Sequence, residues 1–467
     1  MFAKGVKLLV VSLPFFFVVG VLSAQPIAYQ TWAVDAAQEG RRDAVIASLG
    51  RPSLDDRPGV EQFFKSYYIA RWTDAANESQ LATYRRELLK DDCTKVHNNN
   101  RAYLLGLIQT QMASIAENKD IFPAGRYNAI LTIGMLSEKE ESGSTPPVVY
   151  AEALPYLVKT STNEEMPPYI RVGALGGVVR HAQAGIADAA RRNDALALFC
   201  RIIVAGKPKE DRPVDEQQLL DWSREKAIEG IQGLRLTGAR QEGLATLLEV
   251  AESPAETPQI RYLAVRALGD LDFEAAVAAG AEVPFQKIAT VIIELAKFTC
   301  QNEPKLIQEA LMDSSVNLAN LQQGGSGRPM MPVFGMGAAR GGGPPGAANP
   351  AEYEMISESI SRLKFAFSSF RNGLLGRNSR VSGADNATGI LPFLKDDPAE
   401  RKINNTARLF QTFMEVLDQG PAPAAKPAPG TAAQTVPVDP KAPKVTLQDI
   451  VEELEALLEK INANFPA

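Results

Sequence analysis

Asp91, Asp92, Cys93 and His97 form the densest gathering of metal-ligand side-chain types in the sequence. Carboxylate, thiolate and imidazole donors this close together are the raw material of a zinc site. No CxxC knuckle or second histidine accompanies them, so a solvated loop is the expectation. His181, the other of the two histidines, follows an apolar helical pattern and is placed to meet that helix's last carbonyls. Cys93, Cys200 and Cys300 are isolated and set no disulfide framework. One bridge in an oxidising compartment and buried free thiols both remain open. Met330, Met331 and Met336 offer thioethers suited to Cu(I), but they stand in a Gly/Pro-rich tract with no His or Cys beside them and read as linker. No GxSxG, HExxH, Walker A or GxGxxG pattern occurs in a suitable context, and Gly341-Gly342-Gly343 belongs to low complexity. The abundant Asp and Glu residues keep paired-carboxylate acid–base chemistry open, yet no spacing singles out a pair. The sequence therefore assigns no catalytic, cofactor-binding or metal-binding residue and implies no cofactor. Asn77, Asn386 and Asn404 are glycosylation sequons that matter only in a host that uses them.

Another set of side chains recurs instead. Arg-x-x-Ala, followed by an aliphatic residue and by another three positions later, occurs from Arg126, Arg171, Arg224 and Arg261, with starts 45, 53 and 37 residues apart. Ala and the two aliphatics share one helix face. The small Ala lets a neighbouring helix approach, and the aliphatics fill the groove between the two. Pro123, Pro168 and Pro258 stand three residues before their arginines, where a helix's first turn tolerates the missing N–H. Thr257 is an N-cap candidate before Pro258. The Arg224 copy lacks that proline, and Asp221 is its cap candidate.

Pro258, Ile260, Arg261, Ala264, Leu268 and Gly269 resemble the second helix of a HEAT or armadillo-like repeat. The resemblance covers roughly residues 100–300. It implies an all-α fold, a right-handed α-α superhelix (HEAT-like solenoid), to which composition adds disordered Gly/Pro-rich linkers and apolar spacing a C-terminal amphipathic helix. It also implies a structural role for Arg126, Arg171, Arg224 and Arg261, bonding carbonyls or carboxylates between helices. Spacings near 40 with variable loops fit stacked helix pairs.

The elements that would carry this pattern can be read in order. Lys4 and Lys7, the apolar run Leu8–Leu22 and the small residues Ser23 and Ala24 follow the grammar of a secretory signal peptide, residues 1–24. Residues 25–322 read as the solenoid with an N-terminal cap. Trp32–Leu49 is a short helix, and Phe63, Phe64, Tyr67, Tyr68 and Trp72 serve either as an aromatic binding patch or as packing for the cap, the latter favoured. Helices over Arg101–Glu117, Tyr150–Thr160, Asn193–Val204, Glu242–Glu252 and Pro284–Cys300 alternate with the arginine helices. Glu303–Leu321 is a further helix with Pro304 in its first turn. Gly177 and Gly233 inside helical patterns suggest close helix packing, since each costs about 1 kcal/mol relative to Ala.

Residues 323–350 are a Gly/Pro/Met-rich flexible loop, residues 351–419 a helical hairpin or C-terminal cap, and residues 420–445 a Pro/Ala-rich linker. Residues 446–463 form an amphipathic helix opened by a Thr446/Asp449 capping box. Its apolar face must dock on its own solenoid, self-associate through Thr446–Asn462 or enter a partner's groove.

A net charge of −6 without a basic domain argues against nucleic acid. Membrane attachment follows only if the N-terminal segment stays uncleaved. The expectation is an exported protein, periplasmic, cell-envelope or extracellular. It would be a non-enzymatic scaffold or interaction module for a protein or peptide partner. A polysaccharide-directed enzyme on a helical toroid and an envelope component assembling through its last helix are the alternatives.

Overall fold

A computed structural model describes residues 29–141, 143, 145–209, 211–323, 350–376, 389–394, 398–419 and 445–466. The expected signal peptide, the Gly/Pro/Met-rich loop and the Pro/Ala-rich linker lie outside the described residues. The fold is all-α, its one sheet being the small hairpin of β1 (Ser137–Lys139) and β2 (Val148–Val149) among the described residues. No described helix is long and apolar enough to cross a membrane.

The N-terminal region is built from short pieces, including α1 (Arg42–Leu49), α2 (Arg57–Phe63) and α3 (Leu81–Arg86). The chain through the aromatic group is not one regular helix. Residues Phe64–Tyr68 form a π turn, with Ile69 N–H bonded to the Phe64 carbonyl at 2.9 Å, and Ala70–Thr73 tightens to a 3-10 turn. Phe63, Phe64, Tyr68 and Trp72 are nonetheless all fully buried, which makes this group packing and not a binding patch.

Antiparallel pairs follow: α4 (Asn98–Glu117) with α5 (Pro123–Met135), α6 (Ala153–Thr162) with α7 (Pro168–Ala184), α8 (Ala189–Ala205) with α9 (Val214–Leu234), and α10 (Glu242–Glu252) with α11 (Pro258–Gly269). The short α12 (Phe273–Ala278) precedes α13 (Phe285–Gln323), α14 (Pro350–Leu375), α15 (Pro398–Gln419) and α16 (Leu447–Asn464). One row runs α5, α7, α9, α11, α14, α15, each packed along the next; the other runs α6, α8, α10, α13, α16. This two-row stacking fits an α-solenoid.

Glycine sets the closest approaches in the first row. A Cβ on either Gly134 of α5 or Gly177 of α7 would lie 2.9 Å from the other's Cα. Gly269 of α11 meets the Asn372 backbone of α14, where a Cβ has no room. Helices approach this closely where at least one of the facing residues lacks a side chain.

Two boundaries differ from expectation. α13 continues through Pro304 as one helix of 39 residues. Proline removes one intrahelical bond and crowds the preceding turn, but α14 holds α13 on both sides of it. Before the proline, Arg362 Nε donates to Glu303 at 2.5 Å; after it, Leu306 and Ala310 line one pocket with Met355 and Glu358 of α14. The second difference is α9, taken up below.

The last helix closes the second row. Its capping box forms as expected: Asp449 N–H donates to Thr446 Oγ1 at 3.1 Å, and Thr446 N–H to Asp449 Oδ2 at 2.7 Å. Leu447, Ile450, Leu454, Leu457 and Ile461 are buried, and α16 packs on α13 and α15. Each such aliphatic contributes about 1.5–3 kcal/mol relative to exposure. Lys297 Nζ of α13 donates to the Phe465 carbonyl at 2.8 Å, satisfying the helix end.

Candidate functional site

The recurring arginines are the natural place to begin. The last carbonyls of a helix have no intrahelical donor, and three of the four arginines supply one. Arg126 Nε of α5 donates to Ala116 O of α4 at 3.0 Å, and Arg261 Nε of α11 to Ala251 O of α10 at 3.0 Å. Arg224 Nε of α9 donates to Ile203 O of α8 at 3.1 Å. Arg224 is fully buried and also pairs with Glu256, the buried carboxylate of the turn before α11, so one guanidinium ties two helix pairs together. This is the bonding that the repeat resemblance implies.

Arg171 breaks the series. Its Nε is out of contact with solvent and has no hydrogen-bond partner, while the residue as a whole is only half-buried. Instead of clamping α6, it lines a groove of about 250 Å³ bounded by the end of α6, the start of α7, the end of α8 and α9.

The wall of that groove is the second boundary surprise. α5, α7 and α11 each begin three residues before their arginine, whereas α9 begins at Val214, ten residues before Arg224. Seven additional residues extend α9 by roughly 10 Å. Asp221 is therefore inside the helix and is not its cap; it accepts from Arg224 Nη1 at 3.4 Å. The start signal is Pro213 followed by Asp215 and Glu216, acidic residues in the first turn where the helix dipole favours them.

The extension carries unusual side chains. Val214 is 70% exposed and Leu219 38%; Trp222, just beyond the extension, is 37% exposed. Val172, Leu175, Ile202, Leu219 and Leu220 make the groove apolar, and Arg171 and Arg201 give it positive charge against one carboxylate, Glu164. Such a surface accepts apolar side chains and a carboxylate, chemistry that suits peptide recognition.

The other sequence candidates do not converge on a site. Asp91 to His97 is not a solvated loop. Asp92 is buried, accepting from Tyr68 Oη at 2.6 Å and from Arg42 Nη2 at 3.0 Å. Burial, and then the Asp92 charge, push the Tyr68 hydroxyl well above its ordinary pKa. Burial pushes the Cys93 thiol up to about 12, which leaves it protonated and inert. His97 turns away to cap α4, its Nδ1 accepting from Asn99 N–H at 3.3 Å.

His181 does not reach the α7 carbonyls through its ring. It is buried, Nε2 has no partner, and burial with the neighbouring Arg180 lowers its pKa to about 4. Cys93, Cys200 and Cys300 are all free thiols. The buried carboxylates Asp92, Glu256 and Glu303 each meet an arginine, and Asp270 accepts from Gln232 and Asn372. The methionine tract and the Gly341–Gly343 run lie outside the described residues. A scan against protein-family models and a search of curated proteins both return no match to the chain.

Proposed function

We propose that this protein is a non-enzymatic, exported interaction module. Its helix pairs form a HEAT-like, right-handed α-α superhelix, and a protein or peptide partner binds in the groove between the α6/α7 and α8/α9 pairs. The partner places apolar side chains against Leu175, Ile202 and Leu219, and a carboxylate against Arg171. The observation that carries this reading is Arg171 itself. Three equivalent arginines spend their Nε on a helix carbonyl, and the fourth does not, lining instead a groove that it shares with exposed Leu219. Helix α16 already covers its apolar face with α13 and α15, so self-association through Thr446–Asn462 requires that helix to leave its seat.

The test is site-specific photo-crosslinking from position 219 in the native exported fraction. A discrete protein adduct is expected, and Arg171→Ala or Arg201→Ala should remove it without changing the melting temperature. No adduct at 219, or the same adducts from a probe at exposed Val277, would defeat the proposal.

A further inference from the structure

A second cleft, of about 770 Å³, opens between the start of α8, the α9–α10 turn and α12. It carries three arginines, Arg192, Arg235 and Arg240. None of them makes an ion pair among the described residues, although Arg191, next to Arg192, is paired with Glu152. Arg192 Nε is buried without any hydrogen-bond partner. Arg235 spends only its Nε, donating to the Asp270 carbonyl at 3.2 Å.

Three carboxylates stand near, and two are already committed to backbone. Asp272 accepts from Ala275 N–H at 3.0 Å, and Glu242 from Arg240 N–H at 2.9 Å. Glu282 lines the cleft, and its main-chain carbonyl accepts from Gln241 Nε2 at 3.0 Å. The arginines therefore face the cavity with their hydrogen-bonding capacity largely unspent.

The backbone of the cleft wall is the other observation. Among the described residues, the non-glycine positions with positive φ are Arg235 (φ 59°) and Gln241 (φ 57°), and both belong to this one turn. Gly238 (φ 92°) lies between them and Gly280 (φ 83°) stands on the opposite wall. Left-handed backbone at a side-chain-bearing residue costs on the order of 1 kcal/mol and persists where the surroundings enforce it, commonly at ligand sites. Here the strain sets Arg235 and Arg240 at the rim of one cavity.

We infer that this cleft is a binding site for a small polyanion, a molecule presenting at least two phosphate or carboxylate groups to Arg192, Arg235 and Arg240. Guanidinium forks match both oxyanions in bidentate geometry. The volume exceeds what a single phosphate fills and suits a compact diphosphate or polycarboxylate.

Isothermal titration of the full-length protein with inorganic pyrophosphate, and separately with citrate, at matched ionic strength tests this. Saturable binding of at least one is expected. A preference for pyrophosphate assigns phosphate as the recognised group, and a preference for citrate assigns carboxylate. Arg240 is exposed, so Arg240→Ala should fold as the wild type does and weaken binding at least tenfold. Arg192→Ala should do the same, and Arg408→Ala, at an exposed arginine of α15, should leave affinity within twofold. Absence of saturable binding for both anions, or wild-type affinity in Arg240→Ala, overturns the assignment.

Discussion

Arg171 and Arg224 occupy the same register in neighbouring helix pairs and do opposite things. Arg224 is wholly buried and engaged by Ile203, Asp221 and Glu256. Arg171 is half-buried and lines a groove, with its Nε bonded to no helix carbonyl. One repeat position thus clamps two helix pairs in one case and lines a groove in the pair before it. What separates them is the extension of α9 before Arg224, which walls in the space in front of Arg171 and leaves it open to an incoming group.

The sharpest way to break this comparison is to remove each arginine in turn. Arg224→Ala strands the buried Glu256 carboxylate and should cost about 3–5 kcal/mol in denaturant unfolding. A loss below about 1 kcal/mol would mean that the clamp is ornamental. The next effect is pH-dependent and belongs to α7, the helix that carries Arg171. His181 is held at a pKa of about 4, below the ordinary 6.5, so the unfolded chain binds the proton more readily. Its contribution is fully present above pH 6.5 and is lost as pH falls towards 4, at most roughly 3 kcal/mol. Melting curves at pH 7 and 4.5 should show that loss, and His181→Leu should flatten it. An identical slope in the variant would assign the acid lability elsewhere.

Smaller effects sharpen the contrast within α7. Gly177→Ala forces α5 and α7 apart at Gly134 and should cost about 1–3 kcal/mol. Gly176→Ala meets nothing within 4 Å and should stabilise by about 0.5–1 kcal/mol. Equal outcomes for these adjacent residues would contradict the close helix contact. Arg171→Ala should change unfolding stability by less than about 1 kcal/mol, because no hydrogen bond to its Nε is lost. A loss matching that of Arg224→Ala would return Arg171 to a structural role.

Much of the fold was legible because its signals are local. Pro123, Pro168 and Pro258 mark true helix starts, Thr257 caps α11 and Thr446 caps α16 as read. Where local signals misled, packing had overruled them. Pro304 reads as a helix start, yet α13 runs through it as one helix packed against α14. Asp221 reads as a cap, yet the real start lies at Val214. The groove was not legible, since the pattern around Arg171 matches its sisters and only the neighbouring helix's length sets it apart. Amphipathicity likewise required α16 to be covered without saying by what. The polyanion cleft rests on two left-handed residues, Arg235 and Gln241, whose side chains give no sign of that backbone.

The seating of α16 has a consequence for biosynthesis. Lys297 and Phe465 meet across 168 residues of chain, so α13 must wait for its covering helix long after its own synthesis. A growing chain emerges at about 5–20 residues per second, which leaves that apolar flank bare for roughly ten seconds or more. During that interval the nascent stack has an unsealed end, and a chaperone that shields aliphatic surface would find its target there. Any truncation that removes residues 447–464 makes the interval permanent.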